Sequence, residues 1–182
     1  SNFVIVTEYL KEGSLFSLLE NERKSMAPIT WDDTKKLITI FGIASGMSFL
    51  HFYDILHRDL KPSNILMDDN LFPKIADFGF SKKEFNEQNS VQSFPTLKGT
   101  RNYLAPEIIK NNNYTKSGDV YAFEILVYEI VTGQIAYSEL NYYDILSNVV
   151  KGYRPIFKND VPEAYRNLIQ KCWESELNKR PS

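Results

Sequence analysis

The stretch from Asp119 to Thr132 constrains this chain most. Laid on a helix it is apolar nearly all the way round, with Val120, Tyr121, Ala122 and Phe123 followed by Ile125, Leu126, Val127, Tyr128, Ile130 and Val131. A helix without a polar face has to be enclosed, by lipid or by other elements of its own domain. Length excludes lipid, because the longest apolar run, Ile125 to Val131, is interrupted by Glu129 and falls well short of the roughly 18 residues of a membrane span. The stretch therefore predicts a domain built around one central helix, closed by Gly133. A chain of 182 residues buries about 70% of its unfolded surface on folding, enough core to cover that helix on every side.

The other elements are read outward from it. Phe3-Val4-Ile5-Val6 predicts a buried strand, and Gly13 breaks the chain before a short helix capped by Ser14, with Leu15, Leu18 and Leu19 inward. Thr30-Trp31-Asp32-Asp33 resembles a capping box with Asp in place of Glu. It opens a long helix whose buried face is expected to be Leu37, Ile40, Phe41, Ala44, Met47 and Leu50, with Gly42 and Gly46 marking close packing. Ile65-Leu66-Met67 and Lys74-Ile75-Ala76 predict a hairpin turned through Asp68-Asp69-Asn70. Residues Ser81 to Lys98 have no apolar period and predict a long exposed loop. Two further helices are expected, one from Asn141 to Val150 before Gly152, and one from Pro162 with Tyr165, Leu168, Ile169, Cys172 and Trp173 on one face.

Composition narrows the function classes. A formal net charge of −2 argues against nucleic acid as a partner and against polybasic attachment to membranes, both of which need a large positive field. Cys172 is the sole cysteine, which excludes an internal disulfide and a multi-cysteine zinc site and suits a reducing compartment. Ser1 to Leu10 lacks a charged leader and carries Glu8, so it does not read as a signal peptide. The expected location is cytoplasmic, and oligomeric state is not legible in the sequence.

Chemistry concentrates in His57-Arg58-Asp59-Leu60-Lys61-Pro62-Ser63-Asn64, followed across the hairpin by Asp77-Phe78-Gly79. Asp59, Asn64 and Asp77 gather oxygen ligands of the kind Mg²⁺ prefers alongside phosphate and water. A carboxylate not used by the metal could take a proton from an attacking hydroxyl, while a lysine offsets charge on a transferring phosphoryl group. Taken singly, each is an ordinary polar loop residue.

Together they resemble the catalytic loop and metal-binding segment of the eukaryotic protein kinases. Seven of these positions match by chance with a probability of roughly 10⁻⁷ over a chain of this length. The resemblance continues through Gly99-Thr100-Arg101-Asn102-Tyr103-Leu104-Ala105-Pro106-Glu107, Ser117-Gly118-Asp119-Val120-Tyr121-Ala122-Phe123, Cys172-Trp173 and Arg180-Pro181, in family order from Ser1 to Ser182. It implies an α+β two-lobed fold, of which this part is the mainly helical C-lobe with a short β-hairpin at the catalytic loop. It further implies ATP and Mg²⁺ as cofactors, Asp59 as base, Lys61 facing phosphate, and Asn64 and Asp77 as metal ligands. Thr7 falls at the gatekeeper position, backbone groups of Glu8 and Leu10 at the adenine edge, and Leu66, with Leu126 and Ile130, in the apolar stack beneath it. Structural roles are implied for His57 and Phe78 in a stacked core, for Glu107 with Arg180 as a buried ion pair, for Asp119 as a brace of the catalytic loop, and for Thr100 beside the base.

Lys61-Pro62-Ser63-Asn64 points to Ser/Thr acceptors on protein substrates, and the Cys-Trp and Arg-Pro ending resembles the tyrosine kinases. The combination resembles the tyrosine kinase-like group; a dual-specificity or tyrosine kinase and a non-catalytic kinase-like binding module are the alternatives. Arg58 before the base implies switching by a phosphate on the activation segment, with Ser90, Ser93 and Thr96 as candidates. Two positions depart from the family pattern, Glu124 where glycine is usual and Leu177 where proline is common. No two glycines are separated by a single residue, so a phosphate-covering Gly-x-Gly loop is missing, as are the N-lobe lysine and its glutamate partner. The expectation is a partial kinase domain over residues 1–182, hinge and C-lobe without the final helix, that does not transfer phosphate by itself.

Overall fold

The computed structural model describes residues 6–83, 101–158 and 161–181. Six helices dominate these: α1 (Leu15–Arg23), α2 (Asp33–Phe52), α3 (Pro106–Asn111), α4 (Lys116–Thr132), α5 (Asp144–Val150) and α6 (Glu163–Cys172). Between α2 and α3 lie four very short strands, β1 (Ile55–Leu56), β2 (Ile65–Met67), β3 (Pro73–Ile75) and β4 (Lys82–Lys83). They form two antiparallel pairs, β2 with β3 and β1 with β4.

α4 is the centre, as its apolar sequence requires. Tyr121, Ile125, Leu126, Val127 and Ile130 are fully enclosed, with α2 and α6 packed against the helix. It starts three residues before the expected Asp119 and ends at Gly133, whose φ of 66° lets its N–H turn back to the carbonyl of Glu129. α1 starts where Ser14 accepts a bond from the Ser17 N–H at 3.4 Å, and Leu15, Leu18 and Leu19 are buried.

α2 corrects two expectations. Its cap is Asp32, whose Oδ1 accepts from the Lys35 N–H at 2.8 Å, and not Thr30. A carboxylate beside the helix N-terminus gains both the hydrogen bond and the dipole. The buried face is Ile40, Ile43 and Met47, while Leu37 and Phe41 are exposed, Phe41 at 72%. A three-four spacing fits two overlapping stripes on this apolar helix, which packs against both β3 and α4. An ideal Cβ at Gly42 would lie 2.7 Å from Pro73 Cγ and one at Gly46 2.7 Å from Ile75 Cδ1, so both glycines do mark close packing.

The β2–β3 hairpin pairs Ile65 with Ile75 and Met67 with Pro73, one residue earlier in β3 than expected. Asp68 closes its turn by accepting the N–H groups of Asn70 and Phe72, both at 2.9 Å. These bonds, Phe72 first, hold the Asp68 carboxyl below its ordinary value. The β1–β4 pair is a finding the sequence did not announce: Lys82 and Lys83 pair with Leu56 and Ile55 inside the stretch expected to be loop. Val6, the one described residue of the expected first strand, is in no strand and is 89% exposed. α5 begins at Asp144, three residues past Asn141, which instead accepts the N–H groups of Tyr143 and Asp144. α6 buries Ile169 and Cys172 and leaves Leu168 part exposed. Among the described residues, no helix is long and apolar enough to cross a membrane.

Candidate active site

The 3₁₀ turn Pro62–Asn64 runs straight into β2, so the loop between β1 and β2 is fastened at both ends. Asp59 sits within it, nearly buried, and its Oδ2 accepts from Lys61 Nζ at 2.6 Å and Asn64 Nδ2 at 3.0 Å. The Asn64 amide also donates to the Asp59 carbonyl at 2.8 Å, which locks the two residues together through backbone and side chain. Charge-assisted bonds of this kind hold a carboxylate in one orientation.

A brace from outside the loop fixes its entrance. Asp119, on the first turn of α4, accepts the His57 N–H at 2.8 Å and the Arg58 N–H at 2.9 Å, and His51 Nε2 from the end of α2 at 3.0 Å. Arg58 has the left-handed φ of 71°, unfavourable for a side chain with a Cβ, and the carboxylate bond to its own N–H helps to hold it there. Its guanidinium lies over the Tyr114 ring, 4.5 Å from the centroid. Burial pushes the Tyr114 hydroxyl up to about 12, with the Arg58 charge pulling the other way.

His57 is fully buried. Its Nδ1 accepts the Asp59 N–H at 3.3 Å, so Nε2 carries the proton it donates to the Ala76 carbonyl at 3.1 Å. Both ring nitrogens are thus occupied by backbone, and the ring packs 5.4 Å from that of Phe78. Ala76 also donates its N–H to the Asn64 carbonyl at 2.9 Å, which brings Asp77 beside the Asp59–Asn64 loop. Asp77 adopts φ 62° as it leaves β3, is exposed, and accepts the Gly79 N–H at 3.3 Å.

This donor set suits magnesium bound with phosphate. The Asn64 nitrogen is committed to Asp59, which leaves Oδ1 as the oxygen able to ligate, touched by the Ser63 hydroxyl at 3.5 Å. Among the described residues no three His, Cys, Asp or Glu side chains cluster as a metal cage. One amide oxygen and one exposed carboxylate are what a cation bound chiefly by phosphate and water requires.

At the other edge, Met67 donates to the Gly13 carbonyl at 2.9 Å and Ser14 bridges to Leu66, which joins the segment around Leu10 to the hairpin. Leu66 is half-buried, on the opposite face of β2 from Ile65 and Met67. Thr7 and Glu8 are exposed, and the Glu8 carboxylate pairs with Lys74 at 2.6 Å, a contact not foreseen. Ser90, Ser93, Thr96 and Thr100 lie outside the described residues.

Sequence reasoning also missed His51, Tyr114 and the Tyr103–Glu129 pair. Tyr103 donates to Glu129 Oε2 at 3.1 Å and Glu129 Oε1 accepts the Ala136 N–H at 2.9 Å, tying the segment before α3 to the central helix. Burial raises the Glu129 carboxyl while these two bonds lower it. Glu129, a carboxylate inside a mostly apolar helix, was the available signal.

The model of the protein tyrosine and serine/threonine kinase family matches residues 1–182. The RGS domain-containing serine/threonine-protein kinase A of Dictyostelium discoideum is 40% identical over 177 residues, 97% of this chain and 15% of that protein. Two Acanthamoeba polyphaga mimivirus proteins, whose names class them with the serine/threonine-protein kinases and receptors, are 37% and 38% identical over the whole chain, which covers 11% and 10% of their lengths. The chain thus spans about a tenth of the length of these viral relatives. With a family match that runs unbroken through the braced loop of Asp59, Lys61 and Asn64, the chain belongs to the protein tyrosine and serine/threonine kinase family.

Proposed function

We propose that these residues are the hinge and C-lobe of a two-lobed protein serine/threonine kinase that moves the γ-phosphoryl group of ATP to Ser or Thr hydroxyls of proteins. The observation that carries this reading is the buried Asp59 carboxylate, held by Lys61 and Asn64 in a loop braced by Asp119. In the proposed reaction Asp59 accepts the proton of the attacking hydroxyl, and Lys61, 2.6 Å away, offsets charge on the transferring group. Asn64 Oδ1 and Asp77 would hold magnesium, which when bound neutralises phosphate oxygens. Backbone groups of Glu8 and Leu10 would bind the adenine edge, with Thr7 behind it and Leu66 beneath.

Lys61-Pro62-Ser63-Asn64 supports Ser/Thr acceptors, and its combination with Cys172-Trp173 and Arg180-Pro181 supports a place in the tyrosine kinase-like group. Asp59→Asn in the full-length protein is expected to lower phosphorylation of a Ser/Thr substrate by at least about a hundredfold, with ATP binding nearly unchanged. Undiminished turnover in a kinase assay with that variant would remove Asp59 from the mechanism. Absence of turnover in the unaltered full-length protein would leave a binding module.

A further inference from the structure

Tyr103 and Leu104 line one small pocket with Asp59, and they stand at the end of a 3₁₀ turn, Arg101–Tyr103, on which α5 packs. The turn is fastened from outside. The Asn102 amide donates to the Ala136 carbonyl at 2.9 Å, and the Tyr103 hydroxyl donates to Glu129. Arg101 thus stands on a fixed element, with its guanidinium stacked over the Tyr142 ring, 4.1 Å from the centroid. Its one hydrogen bond is a long one, 3.4 Å from Nη1 to the Tyr142 carbonyl. Nε is enclosed, and Nη2 is left at the surface without a partner. By contrast, Arg154 and Arg180 each make four hydrogen bonds. Among the described residues no carboxylate pairs with Arg101. The acids nearest Tyr142 in the chain, Glu139 and Asp144, are engaged by Tyr153 and Asn141.

We infer that Arg101 is a specificity-determining residue of the acceptor site, and that its Nη2 takes the carboxylate of an acidic residue within three positions of the acceptor Ser or Thr. The inference rests on the proposed phosphotransfer and adds a substrate class to it. Reach supports it. Arg101 lies about 4 Å along the turn from Tyr103, at roughly 2 Å per residue. An extended peptide advances about 3.3 Å per residue, so three positions carry it about 10 Å from Asp59. Stacking on Tyr142 holds the guanidinium plane before any ligand arrives, which cuts the ordering cost of a charge-assisted bond. Charge selects the carboxylate, because a lysine brought to the same place meets a like charge.

The test uses the full-length protein, ATP and short Ala/Gly peptides that carry one Ser. A Glu is moved from three residues before the Ser to three after it, with Lys as the comparison at each place. At one or more of these places kcat/KM for the Glu peptide is expected to exceed that for the Lys peptide by at least about tenfold, the size of one charge-assisted bond. Arg101→Gln is expected to make the two peptides equal and Arg101→Glu to invert the preference, whereas a merely structural role would change all peptides alike. Binding of the Glu peptide with Ala in place of Ser, followed by fluorescence anisotropy, separates this inference from the reading beneath it. Phosphorylation of Glu and Lys peptides at equal rates throughout, or a Glu preference that survives Arg101→Gln, would overturn the inference and leave phosphotransfer standing. Binding that needs Arg101, with no peptide phosphorylated, would support the acidic docking and remove phosphotransfer. Neither binding nor phosphorylation would overturn both.

Discussion

Glu124 shows how one side chain sets a pH dependence for a whole domain. Burial pushes its carboxyl from an ordinary 4.5 up to about 7, and the Cys172 thiol opposes this only in part. Between those two pH values the folded form keeps a proton that the unfolded chain has released. Stability is therefore fully present below about pH 4.5 and falls as pH rises through 7, by up to roughly 3 kcal/mol. Urea unfolding of the unaltered protein and of Glu124→Gln at pH 5 and pH 8 checks this, since the variant lacks the titrating group. The variant should gain relative to the parent as pH rises, and parallel stability curves would contradict the assignment. The same residue was legible in the sequence as an anomaly on an apolar helix. Its burial with only the Cys172 thiol to oppose it was not, because that depends on what α6 brings beside it.

At the level of elements, the seat of β3 on α2 rests on two missing side chains. Gly42 and Gly46 face Pro73 and Ile75, and the two neighbours differ in how they can yield. A proline ring has no free rotor and Pro73 is paired to Met67, whereas the Ile75 terminal methyl can turn away. Alanine gains about 1 kcal/mol over glycine in a helix, and overpacking costs about 1–3 kcal/mol. Gly42→Ala is expected to lose about 1 kcal/mol net, and Gly46→Ala to be neutral or slightly stabilising. Equilibrium unfolding of the two variants side by side measures the difference, and equal effects would mean the ring yields as readily as the methyl. Glycine on a helix was readable as close packing, but its partner was not. Which α2 stripe turned inward was likewise decided outside the helix, so Leu37 and Phe41 were misread as core.

Across the whole molecule, the Glu107–Arg180 pair joins the segment after α6 to α3. The guanidinium makes two parallel bonds of 2.7 and 2.9 Å to the carboxylate and also donates to the carbonyls of Ser117 and Glu174, with its side chain fully enclosed. Glu107→Ala leaves that charge buried without a counter-ion and is expected to cost about 3–5 kcal/mol. Lys179→Ala, which removes only the exposed pair with Glu176, is expected to leave the urea midpoint where it was. Similar losses in the two variants would show that the pair is solvated in solution.

What the sequence determined by itself was local. The helices, their glycine stops and the grouping of Asp59, Lys61 and Asn64 follow from residues a few positions apart, where helical period and turn chemistry act directly. Tertiary structure decided the pairings across long separations. Asp119 meets the backbone of His57 and Arg58 from 62 and 61 residues away, and Lys82 and Lys83 find a strand partner in Ile55 and Leu56. No local period encodes these contacts, because two-residue strands and lone carboxylates carry too little pattern of their own. They form because the enclosed α4 brings its first turn to the loop of Asp59 and Asn64, where the N–H groups of His57 and Arg58 need an acceptor.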